Sequence, residues 1–163
     1  MLAADMSFEI RAEESATSPA WRALRVKTWG TEPYWRARIR GYLNGEYSPQ
    51  QAQAERVTFV ALDGDGVVGL VAGHRTKRFG CDGELEWIDV AKEYRGRGIA
   101  EGLMTAMIRR FVEQGALRVC VNVSPENIQA CRLYPRYVAV PVNLHGMIWK
   151  DVGRSLNKLA DDT

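Results

Sequence analysis

Hydrophobic positions along this chain switch between a period of two, which marks a half-buried strand, and a period near 3.6, which marks an amphipathic helix. Residues 8–13 alternate and predict a first strand. Ser18-Pro19 reads as an N-cap followed by proline at the first helical position, with Trp21, Leu24 and Thr28 on one face and Gly30 as the stop. A second helix is predicted over 34–43, where Trp35, Ile39, Tyr42 and Leu43 recur at helical spacing before Asn44-Gly45. Ser48-Pro49 predicts a short third helix that runs to Glu55. Strands at 57–62 and 67–76 flank Asp63-Gly64-Asp65-Gly66, a hairpin signal. Another strand covers 84–90. The main helix is predicted over 99–114, with Ala100, Met104, Met107, Ile108 and Phe111 as its apolar stripe and Gly115 past its end. A strand at 117–123, a helix at 126–136 and a strand pair at 137–142 and 147–152 complete the pattern. The ends, 1–6 and 153–163, read as frayed, with a short helix over the last ten residues as the alternative.

Strands dominate the middle, and one strand–helix–strand unit supplies a parallel crossover. The expected fold is therefore α/β (α+β), a mixed sheet flanked by helices, in a single domain over 1–163. A chain of 163 residues can bury a core unaided. The formal charge of +2 and the lack of any basic run speak against nucleic acid as a partner. Cys81, Cys120 and Cys131 fall in no metal-ligand spacing and read as reduced thiols, so no metal is expected. No stretch is apolar enough to span a membrane, and the N-terminus shows no apolar signal core. The expected location is the cytoplasm.

Two glycine-rich turns invite a functional reading, and context separates them. Gly64-Asp65-Gly66-Val67-Val68-Gly69 has the spacing of a dinucleotide fingerprint, but strands lie on both sides where a helix should follow. It reads as a hairpin. Arg95-Gly96-Arg97-Gly98-Ile99-Ala100 does follow a strand and open a helix. Such a turn aims backbone N–H groups and the positive helix end at one point, a cradle for a diphosphate. Cations at a helix N-terminus are unfavourable unless an anion offsets them.

Strand, Arg-x-x-Gly-x-Ala, helix resembles the acyl-coenzyme A loop of the GNAT acetyltransferase superfamily, and the element order extends the resemblance over nearly the whole chain. It implies a mostly antiparallel sheet of about seven strands and acetyl-CoA as co-substrate. N–H groups of Gly96, Arg97, Gly98, Ile99, Ala100 and Glu101 would hold the diphosphate, with Arg95 adding charge. The backbone of Ile88, Asp89 and Val90 would pair with the pantetheine amides. Asn127, Ala130 and Tyr134 share a helix face; the resemblance gives Asn127 to the coenzyme arm and makes Tyr134 the general acid for the leaving thiolate. After this tyrosine the family often has Gly-Phe, where this chain has Val138-Ala139.

Glu84 and Glu86 sit two apart on the strand that leads to the loop and share a face unless a bulge intervenes. Either is a candidate general base, since the family places its base at both matched positions. His74 and His145 read as surface or packing residues. Trp21, Trp29, Tyr34, Trp35 and Trp87, with Arg36, Arg38 and Arg40, read chiefly as core and solvated neighbours, with substrate contact as the alternative.

The expected activity is N-acetylation of a primary amine by direct attack in a ternary complex. A small-molecule amine is the expected partner, because Asn122 stands where transferases for ribosomal-protein N-termini commonly carry glutamate. A homodimer is left open. Protein lysine or N-terminal acetylation, and a non-catalytic acyl-CoA sensor, are the alternatives.

Overall fold

The computed structural model describes residues 8–15, 18–26, 30–46 and 52–161. Its elements are β1 (Glu9–Glu13), α1 (Pro19–Arg22), β2 (Arg25–Val26), α2 (Glu32–Leu43), β3 (Gln53–Asp63), β4 (Gly66–Arg75), β5 (Gly83–Val90), α3 (Ile99–Glu113), β6 (Val119–Asn122), α4 (Ile128–Leu133), β7 (Val140–Asn143), β8 (Gly146–Trp149) and α5 (Gly153–Asp161). The strands hydrogen-bond in the order β1-β3-β4-β5-β6-β8-β7, with β2 joined to β4, as an eight-stranded sheet. The β1–β3, β6–β8 and β7–β8 pairs are antiparallel, and the β2–β4 and β5–β6 pairs are parallel. Backbone packing divides the chain into two compact units, one drawn from 1–49, 56–72 and 87–106, the other from 50–55, 73–86 and 107–163.

In the first unit Trp21, Leu24, Val26, Trp35, Ile39, Val60, Leu62, Val67 and Leu70 form one apolar cluster. Helix α2 starts two residues earlier than its apolar rhythm predicts because Thr31 caps it, its hydroxyl accepting from the Tyr34 N–H at 3.3 Å. The Glu32 carboxylate accepts from the Val26 N–H at 3.0 Å and so ties β2 to α2. The other face of β4 receives α3. A Cβ on Gly69 would lie 3.1 Å from Ile99 and 3.2 Å from Leu103, so only glycine admits the helix at this height.

In the second unit Gly73 and Gly83 play the same part against Met107 and Phe111, at 2.8 and 2.6 Å. The Asp82 carboxylate accepts from the N–H groups of Leu117 and Arg118, which fixes the entry to β6 and holds its pKa below the usual range. Residues 134–137 form a tight 3-10 turn after α4. The Trp149 indole and the Ser155 hydroxyl both donate to the Tyr137 carbonyl, the first at 2.9 Å.

Several expectations need correction. The helix predicted from Ser18 is one turn, α1, because Arg25 and Val26 pair with Gly66 and Val67 instead of continuing it. That pairing supplies an eighth strand where about seven were expected. Thr28 and Trp29 lie outside the described residues, as does the first half of the predicted third helix, 48–51. Its last residues, Gln53 to Glu55, belong to β3. Pro135 ends the helix predicted over 126–136 at Leu133. Residues 153–161 are helical, not frayed, with Ser155 fully buried. Among the described residues no helix is long and apolar enough to cross a membrane.

Val138 closes the tight turn at φ +76°, in the left-handed region that glycine normally fills. A β-branched residue there is strained. Val138→Gly is expected to stabilise the protein by about 0.5–1 kcal/mol, since the side chain is largely exposed and its loss costs little packing. A urea titration that shows a lower midpoint for the variant would refute this.

Candidate active site

The turn after β5 keeps the geometry its sequence promises. Gly96 and Gly98 have φ of +77° and +82°, and a Cβ at either would meet nothing within 4 Å. The backbone is open to an approaching ligand at both positions. Ile99 begins the 15-residue α3, whose first N–H groups lack intrahelical partners. Arg97 lies over the Tyr94 ring at 4.9 Å, and the Tyr94 hydroxyl donates to Asp63 at 2.7 Å. Arg95 folds back, its Nε donating to the Val90 carbonyl at 3.0 Å with Asp89 4.0 Å from its other end. Both arginines are thus tethered beside the turn instead of trailing in solvent.

Strand β5 changes character along its length. Its register with β6 runs from Gly83 to Leu85 only. From Glu86 to Val90 no described β6 residue pairs with it.

Glu84 and Glu86 sit with His74 in one cluster, their ligand-type atoms within 4.8 Å of one another. The two carboxylates are not equivalent. Glu84 is buried, with one oxygen 3.1 Å from His74 Nε2 and the other 3.1 Å from Arg78 Nη1. The Cys120 thiol donates to it at 3.5 Å. Burial alone would raise the Glu84 pKa; the bond to His74, the attraction of His74 and Arg78, and the thiol outweigh it and hold the group below the usual range. Glu86 is half-buried. His74, expected to be surface or packing, is a buried partner of Glu84 across ten residues of sequence. Two consecutive paired strands brought it there, and the chain carries no local signal for that.

Asn127 is exposed and caps α4, its side-chain oxygen accepting from the Ala130 N–H at 3.1 Å while its amide donors stay outside the cap. Tyr134 is buried edge-on to Trp149, ring centroids 5.7 Å apart. Burial, with the nearby Cys131, raises its pKa well above the ordinary phenol value, so the hydroxyl keeps its proton at neutral pH. Burial likewise raises the Cys81 and Cys120 thiols, which suits inert packing rather than an acyl carrier.

A mixed sheet with a glycine-rich turn between β5 and α3 is thus the frame of the site. The profile of the acetyltransferase (GNAT) family matches residues 13–138, and the chain belongs to that family. It is 41% identical over 54 residues to a mycothiol acetyltransferase of Corynebacterium aurimucosum, covering 33% of this chain and 18% of that protein. It is 32% identical over 81 residues to N-alpha-acetyltransferase 30 of Schizosaccharomyces pombe, covering 48% and 54%. The chain therefore matches less than two thirds of the length of these relatives. A GNAT-family structure from Desulfovibrio desulfuricans superposes with a TM-score of 0.65 at 15% identity, covering 90% of this chain and 99% of that one. Ard1 from Thermoplasma volcanium gives 0.58 at 18% identity, covering 86% and 94%. These two likenesses show the fold.

The Glu84 cluster makes stability depend on pH. A carboxyl whose folded pKa lies below its unfolded value adds stability above the unfolded value, and that stability is lost as pH falls through the folded one. Glu84→Gln is expected to cost about 3 kcal/mol at neutral pH, the order for breaking a buried pair. The gap to wild type should begin to narrow below about pH 4, as the unfolded carboxyl protonates, and close as pH falls through the lower folded value. Denaturant titrations from neutral to acid pH check it; a gap that is constant or widens on acidification refutes it.

Proposed function

We propose that this chain transfers an acetyl group from acetyl-CoA to a primary amine on a small molecule, by direct attack in a ternary complex. The observation that carries this reading is the open turn at Gly96 and Gly98, placed between the end of β5 and the start of α3. N–H groups from Gly96 to Glu101 hold the diphosphate, Arg95 and Arg97 add charge, and the Ile88, Asp89 and Val90 backbone pairs with the pantetheine amides. An N–H near Ile88 polarises the thioester carbonyl. The Asn127 amide faces the coenzyme arm.

Glu86 is the base we favour over Glu84. Its neighbour's oxygens are engaged by His74 and Arg78, and a carboxylate with a depressed pKa is a weak proton acceptor. Glu86 takes the amine proton as the C–N bond forms, and Tyr134 gives its phenolic proton to sulfur as the C–S bond breaks. Tyr134 regains a proton through solvent. No step requires a metal. Three free cysteines suit a reducing cytoplasm. The match to N-alpha-acetyltransferase 30 supports a protein N-terminus as the second reading.

Calorimetry in the presence of chelator should show acetyl-CoA binding; a requirement for added Mg²⁺ would overturn the turn assignment. In free-thiol release assays across amines and peptide arrays, turnover confined to peptides would favour the second reading, and tight coenzyme binding without turnover would indicate a sensor.

Glu86→Gln should lower kcat/KM by about 10²–10⁴-fold and flatten the ascending limb of its pH profile. Tyr134→Phe should lower kcat by at least about tenfold with coenzyme affinity nearly unchanged, because the ring still packs on Trp149. Full activity in either variant would remove that residue from the chemistry.

A further inference from the structure

Arg38 stands apart from the arginines around it. Arg36 pairs with Glu32 at 3.5 Å, Arg56 donates to the Tyr42 carbonyl at 2.9 Å, and Arg95 donates to the Val90 carbonyl. Arg38 has no carboxylate within ion-pairing distance among the described residues. Its guanidinium carbon lies 4.4 Å from the Trp87 ring centroid, 5.5 Å from that of Trp35 and 5.9 Å from that of Tyr34. Its Nη1 donates to the Tyr34 hydroxyl at 2.7 Å. Trp87 in turn packs on Tyr42, centroids 4.9 Å apart, so the surface under the cation is backed by a second ring.

This is a half-desolvated cation held by aromatic faces, with one of its five N–H donors used. Stacking on a ring leaves the edge of the guanidinium fork outward, the edge that takes an oxyanion with two parallel hydrogen bonds. Trp87 directly follows Glu86 on β5.

We propose that Arg38 anchors the acceptor through an oxyanion, so that the substrate class is an amine that also carries a carboxylate or phosphate beside a planar or apolar body. The rings of Tyr34 and Trp87 line the body, and the guanidinium edge takes the anion. This deepens the proposed acetyl transfer and rests on it for the amine; the anion site itself is testable without turnover.

The probes are benzoate and phenyl phosphate, which carry the anion and ring but no amine, and benzyl alcohol as the uncharged control. Titrated into the protein with coenzyme A present and followed by calorimetry and tryptophan fluorescence, at least one anion should bind and benzyl alcohol should bind at least about tenfold more weakly. The arm that binds tighter identifies carboxylate or phosphate. Arg38→Met should weaken the anion at least about tenfold while leaving coenzyme A affinity unchanged. Arg38→Lys, which keeps the charge but not the fork, should fall between, and it carries the test if the methionine variant does not fold. Arg36→Met should behave as wild type.

Absence of anion binding, binding indifferent to Arg38, or loss of coenzyme A affinity in the Arg38 variants would each overturn the proposal. In turnover, amino acids should show KM values at least about tenfold below those of their amides, and Arg38→Met should erase that ratio by raising KM. Anion binding without acetylation of any amine would sink the proposed function and leave the anchor. Acetylation that ignores the anion would do the reverse.

Discussion

Close approach of α3 to β4 is the constraint from which the turn at Gly96 and Gly98 follows. The Gly69 position lies 3.1 Å from Ile99 Cγ2 and 3.2 Å from the Asp89 carbonyl oxygen, measured from where a Cβ would stand. One missing methyl group thus lets the first residue of α3 and the end of β5 meet over the same strand. The connecting residues must then reverse direction in a short span. Gly96 and Gly98 do so at positive φ, and Ala91 is pinned by its N–H to the Val68 carbonyl at 2.8 Å. The first N–H groups of α3 lack intrahelical partners, as at any helix start, and they follow directly on this turn. A larger residue at 69 would act on the turn through the helix without touching it.

The carboxylates of β5 show how a strand separates stability from chemistry. Glu84 faces a histidine, an arginine and a thiol, and every one of these contacts favours its ionised form. It is costly to bury and strongly held once buried, which makes it a good structural ion and a weak base. Glu86, two residues on, lies past the end of the β6 register and is half-buried. Period-two geometry put both on one strand face; pairing partners made them different.

Sequence patterns show the parts of this architecture that rest on local chemistry. The hairpin at Asp63-Gly64-Asp65-Gly66, the stripe and glycine stop of α3, and the turn before it all appear where the chain predicts them. The misses share another cause. Arg25 and Val26 have nothing in their neighbourhood that marks a strand; they become one by pairing with Gly66 and Val67, some forty residues on. The α2 start is set by the Thr31 cap, which the apolar rhythm does not see. His74 acquires meaning only when β4 and β5 lie side by side. Its burial against Glu84 is a tertiary fact, and a lone histidine in a valine- and glycine-rich strand carries no hint of it.

The C-terminal segment is the instructive case, because a polar tail there reads as frayed and instead supports a residue of the proposed chemistry. Pro135 stops α4 and forces a tight turn that starts at Tyr134. Such a turn exposes carbonyls that a helix would have satisfied. Trp149 from β8 and Ser155 from α5 both donate to the Tyr137 carbonyl, and Tyr134 packs edge-on against the same Trp149. The buried Ser155 hydroxyl and the Val152 N–H bond to the Leu117 carbonyl both tie α5 to the rest of its unit. The helix thus caps another element's carbonyl, and the turn it caps is the one that holds the tyrosine. Strain at Val138 is tolerated because the turn is clamped from two sides.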